Sequence, residues 1–134
     1  MSERRAHVET SIGTALIDIE SAEVLELDDA ASLPRVTVDG LALPLLVAAD
    51  CHGSRIVAVV SRRPPLVVSD DGGLTWREAG GGLAPGRAVA ISPEHPDQIL
   101  FATAERLYLS EDGGRFWRSL ALELIDIRAV AWSD

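Results

Sequence analysis

Glu105 and Asp126 are the acids to weigh first for hydrolytic chemistry, because each stands in a short break between apolar runs. A glycosidase of the acid-pair type needs two carboxylates facing each other across a cleft, about 5 to 9.5 Å apart. Arg62 and Arg63 fall in the same kind of break, and Arg87, Arg106 and Arg128 open the apolar runs beside such breaks, on the expected binding face. A cluster of guanidinium groups suits a carboxylate or a phosphate, while the plainer alternative pairs each arginine with a neighbouring acid such as Asp126. Asp50-Cys51-His52 has the composition of a nucleophile or metal seed, with His95 in the corresponding loop one repeat later. Two histidines and one thiol lack the tight spacing of a metal site, so they read as solvated loop residues. Gly80-Gly81-Gly82 is a flexible connection, since no GxxxxGK[ST] follows it. No metal, no cofactor and no catalytic residue beyond the weak pair Glu105 and Asp126 is expected.

These side chains must be positioned by short strands, and the strands repeat. Ser69-Asp70-Asp71-Gly72-Gly73-Leu74-Thr75-Trp76 and Ser110-Glu111-Asp112-Gly113-Gly114-Arg115-Phe116-Trp117 are copies of one turn, and from Asp71 to Asp112 the chain advances 41 residues (112 − 71). A period of that size, with one small β unit per copy, marks repeat architectures and most often a β-propeller blade. Four apolar segments, A to D, recur around each turn. They lie at 45–49, 55–60, 65–69 and 76–78, and again at 87–92, 98–103, 106–110 and 117–120. Sliding back 42 residues from Asp71 (71 − 29) reaches Asp29, a degraded turn that would make 15–19, 22–26 and 35–38 the strands B, C and D of a first unit lacking A. Residues 127–134 repeat 86–93 almost residue for residue and form an orphan A.

The turn motif resembles the Asp-box, or BNR repeat, of sialidases, xyloglucanase-type glycoside hydrolases, sortilin-type receptors and assembly factors of photosystem II. The resemblance covers roughly residues 11 to 134, with two good boxes and one degenerate one, and implies a propeller of four-stranded antiparallel blades. It implies a structural role for Ser69, Asp71, Gly73 and Trp76, and for Ser110, Asp112, Gly114 and Trp117. In such a turn the carboxylate accepts backbone N–H bonds, the glycine takes a positive φ, and the indole fills the gap between sheets. Phe116 stands where Thr75 stands in the first box, which removes one hydroxyl. Sialidase chemistry would also require a tyrosine nucleophile, and the only tyrosine, Tyr108, is inside strand C between Leu107 and Leu109. For function the box is nearly silent, because it recurs in enzymes, receptors and scaffolds.

The expected fold is all-β: three blades per chain, closing as a six-bladed ring when two copies exchange strand A, because three blades fall short of the roughly four to eight that close a ring. Residues 1–10 would be a loose arm, with blades at 11–42, 43–84 and 85–126 and the exchanged strand at 127–134. Twelve cationic residues, all arginine, oppose 21 acidic ones for a net charge of −9. That balance repels nucleic acid and anionic membrane surfaces. No apolar run approaches the ~20 residues of a membrane span, and one cysteine, Cys51, suits a reducing, cytoplasmic compartment. The expected function is a homodimeric, non-catalytic binding or scaffold protein offering its axial face to a protein or to a small anionic or carbohydrate ligand; the alternative is a glycoside-hydrolase-like enzyme or a fragment of one.

Overall fold

A computed structural model describes residues 4–34, 36–38 and 40–133. The described residues form three four-stranded antiparallel sheets and no helix. The first sheet has the order β12-β1-β2-β3, built from β1 (Arg5–Thr10), β2 (Gly13–Asp18), β3 (Glu23–Asp28) and β12 (Ala129–Ser133). The second runs β4-β5-β6-β7, from Leu46–His52, Arg55–Val60, Leu66–Ser69 and Arg77–Ala79. The third runs β8-β9-β10-β11, from Gly86–Ile91, Ile99–Thr103, Arg106–Ser110 and Arg118–Glu123.

Side-chain alternation decides how the sheets stack. In β9 all five residues are buried: Ile99 and Phe101 pack with Val57, Val59, Leu66 and Val68 of the second sheet, whereas Leu100 and Ala102 pack with Ala6, Val8, Ala15 and Ile17 of the first. The third sheet is therefore the middle layer, apolar on both faces. Gly86 belongs to this packing, because a Cβ there would lie 2.3 Å from the Phe101 ring.

The first sheet differs from the sequence expectation in three ways. Residues 5–10, read as a loose arm, are β1, whose Ala6 and Val8 are fully buried on the third sheet. The expected strands B and C near 15–19 and 22–26 are instead the third and fourth strands, β2 and β3, while 36–38 lie in no strand and Arg35 is outside the described residues. The expected exchange of strand A is replaced by pairing within the chain, as Arg5 lies opposite Ser133 and Val8 opposite Val130. Asp134, the last residue of the expected strand, is outside the described residues. The misreading has a local cause: the turn joining β2 to β3 carries no box. Ser21 Oγ donates to Asp18 Oδ2 at 2.7 Å, the Ala22 N–H donates to Asp18 O at 2.9 Å, and Ala22 takes φ 56°.

The connection between β3 and β4 supplies the material that a three-sheet stack would otherwise lack. Its first part lies on the first sheet, where Thr14 Oγ1 donates to Ala31 O and the Leu33 N–H to Glu9 Oε1 at 2.7 Å. Its later part, Val38, Leu41 and Leu43, packs on the outward face of the second sheet against Ala49, Ala58, Val60 and Val67. Part of the outward face of the second sheet is thus covered by the chain itself.

Candidate functional site

Both boxes adopt the geometry their residue types suggest. Ser69 Oγ donates to Asp71 Oδ1 at 2.8 Å and accepts from the Gly73 N–H at 2.8 Å, while Asp71 also accepts from the Thr75 N–H and hydroxyl. Ser110, Asp112 and Gly114 repeat this at 2.8 Å each, with the Arg115 and Phe116 N–H groups on Asp112 Oδ1. Gly73 and Gly114 take φ of 96° and 92°, a region that a side chain strains. The Thr75 bonds hold the Asp71 carboxyl down at about 2. Asp112, without that hydroxyl, is lowered chiefly by the Phe116 N–H. Trp117 packs between the second and third sheets, edge-on to Phe101 with ring centres 5.9 Å apart. Trp76 lies on the outward face of the second sheet with Val38, Leu41 and Leu43 rather than between two sheets.

The box turns share one end of the molecule with the loops β4–β5 and β8–β9, since the Gly72 N–H donates to Ser54 O and the Gly113 N–H to Asp97 O. Arginines join the sheets there. Arg55 reaches Asp70 at 2.8 Å and crosses to Asp97 at 2.7 Å, Arg77 donates to Gly113 O, and Arg4 reaches Glu111 of the third sheet at 3.1 Å.

The opposite end carries the residues nominated from sequence. There the Ser61 N–H meets Leu45 O and the Leu124 N–H meets Glu105 O, so loops β5–β6 and β9–β10 neighbour the connections between sheets. Arg87 donates to Asp126 Oδ1 at 2.8 Å and Arg128 to Asp126 Oδ2 at 3.3 Å. The pair holds the Asp126 carboxyl below its ordinary range, Arg87 being the larger cause. Arg62 faces Glu78 at 3.5 Å and Arg106 meets Glu123 at 2.6 Å. Arg63 lines a separate groove with Pro64, Gly81, Gly82 and Pro85. Glu105 and Asp126 share a groove with Arg87 and Glu123. A general acid requires a raised carboxyl pKa, and Asp126 has the reverse.

Between the sheets lies a cavity of about 120 Å³ lined by Val47, Ala48 and Ala49 of β4, Arg87, Ala88 and Val89 of the third sheet, Arg128, Ala129 and Val130 near β12, and Pro34 and Val36 of the connection. Val47, Ala88 and Ala129 are spaced 41 residues apart (88 − 47 and 129 − 88), so the inner strands present equivalent positions to it. Three positions further on, Asp50, Ile91 and Trp132 form another equivalent set that sequence reasoning did not connect. Asp50 Oδ2 accepts the Ile91 N–H at 2.8 Å, and Trp132 Nε1 donates to Ala90 O at 3.0 Å. These two side chains satisfy backbone groups on the inner edge of the middle sheet, where among the described residues no further strand pairs. The period itself was the available signal; Asp50 was instead grouped with Cys51 and His52. Those two are exposed but form the end of β4 rather than a loop, and among the described residues no three histidines, cysteines or acids converge as metal ligands. Tyr108 packs toward Phe101, ring centres 6.0 Å apart, away from the Arg87–Asp126 end.

No protein-family model, curated protein or solved structure matches this chain. Among the described residues no helix is long and apolar enough to cross a membrane.

Proposed function

We propose that this chain is a propeller-type unit of Asp-box blades with a non-catalytic, binding or scaffold role, which offers the Arg87–Arg128 end to a protein or a small anionic ligand. The observation carrying the reading is that Arg87 and Arg128, equivalent positions of the repeat, converge on one carboxylate, Asp126, with which an anionic ligand would compete. Both guanidinium groups also line the small cavity between the sheets, and the lowered pKa of Asp126 makes that one carboxyl a poor general acid. An exposed Cys51 fits a reducing compartment such as the cytoplasm.

Titration with citrate, followed by amide NMR, tests the reading. Shifts are expected around Arg87 and Arg128 and are lost in the Arg87→Ala/Arg128→Ala variant; a spectrum unchanged at millimolar citrate removes the anionic ligand from the proposal. Turnover of aryl glycosides, abolished by Glu105→Gln or Asp126→Asn, would establish the hydrolase instead. A paired ring now requires face-to-face docking, because β12 is seated on its own sheet. A solution mass near 14.3 kDa rules that pairing out and a doubled mass supports it.

A further inference from the structure

The outer edge of the first sheet is unlike the rest of the molecule. All six residues of β3 are exposed, and among the described residues no strand pairs with its outer side. Its register with β2 contains a bulge: Leu27 lies opposite Ala15 and Glu26 opposite Leu16, but Val24 lies opposite Ile17, so Leu25 is the extra residue. A plain strand would send positions 24 and 27 to opposite faces. The bulge brings them to the same one.

Val24 and Leu27 therefore extend the apolar face that Ala15 and Ile17 turn toward the third sheet, while Glu23, Glu26 and Asp28 share the other face with Asp18, Leu16 and Thr14. The edge has open backbone groups, one apolar face and one acidic face. We propose that β3 is a docking edge for an extended segment of another protein in which basic and apolar residues alternate, added to the first sheet as a fifth strand. Such a segment sets its apolar residues beside Val24 and Leu27 and its cations beside Glu23, Glu26 and Asp28. A second copy of this chain is the wrong occupant. In the antiparallel register that would set Val24 beside Leu27 of a second copy, Glu23 faces Asp28 at both ends of the seam, and like charges directly opposite are destabilising. This surface is separate from the Arg87–Arg128 end, so the two proposals stand or fall independently.

The test uses the acetylated, amidated hexapeptide Lys-Val-Lys-Val-Lys-Val, titrated into the isotope-labelled chain. Amide shifts and slowed hydrogen exchange confined to β3 are expected, with affinity falling as salt is raised. The Glu23→Lys/Glu26→Lys variant should keep its spectrum outside β3, bind this peptide at least about tenfold more weakly, and prefer Glu-Val-Glu-Val-Glu-Val. Glu26→Gln should fall between the two. Absence of β3 shifts, affinity unchanged by the charge reversal, or a doubled mass that depends on β3 would each overturn the proposal.

Discussion

Asp71 and Asp112 perform one backbone task in different company. Asp71 has a hydroxyl partner in Thr75, whereas Asp112 has backbone donors and faces Phe116, which is 79% exposed. Phe116→Thr should add the missing bond without losing packing, a gain of about 0.5 kcal/mol at the low end for a net hydrogen bond, read as a higher Tm. The Asp71 carboxyl, at about 2 when folded and 3.8 ordinarily, contributes stability that is complete above 3.8 and lost as pH falls toward 2. Asp71→Asn should therefore be less stable than the parent at neutral pH, with the gap closing across that acid window in denaturant titrations. Asp50 has the opposite sign, since burial pushes its carboxyl up. Its contribution is complete below the ordinary carboxyl value and is lost as pH rises through the raised one. Asp50→Asn keeps an acceptor for the Ile91 N–H and should remove that slope, which chemical denaturation at a series of pH values will read.

Elements were legible where a box fixed their register. β5 and β10 occupy the stretches read from sequence, and β4, β6, β7, β8, β9 and β11 differ at their ends by a few residues. The first sheet was misread because its hairpin closes through Asp18, Ser21 and Ala22 rather than through a box, so the alignment was anchored on Asp29, beyond the last strand of the unit. In β1 the alternation of Ala6 and Val8 with the polar Arg5, His7 and Glu9 is itself a strand signal, but it lies ahead of the stretch whose register the boxes anchor. At the Arg87 end, the pairing of arginines with Asp126 was readable from sequence as the plainer alternative; the period relating Asp50, Ile91 and Trp132 was readable too, whereas the bonds from Asp50 and Trp132 to β8 needed the packing of the sheets. Gly86→Ala tests the packing of β8 directly. A methyl driven into the Phe101 ring should cost about 1–3 kcal/mol as overpacking, whereas Gly81→Ala, with open space around its Cβ, should change the denaturation midpoint little.

For the whole molecule, the ends of the chain meet in one sheet. β12 is the inner strand of the first sheet and its residues Val130 and Trp132 pack into the cluster joining that sheet to the third. Removing residues 127–134 should abolish cooperative unfolding, because Ile127, fully buried, goes with the strand; a folded truncated monomer in a melting experiment would refute this. Synthesis order adds a kinetic hazard. The inner edge of β1 is made early, yet its mate begins 119 residues after Thr10 (129 − 10). At 5–20 residues per second that edge waits about 6–24 s on the ribosome, open to capture by the tail of a neighbouring nascent chain. A circular permutant that places β12 directly ahead of β1 would close this interval, and should yield less swapped, aggregated material from crowded refolding than the natural order does.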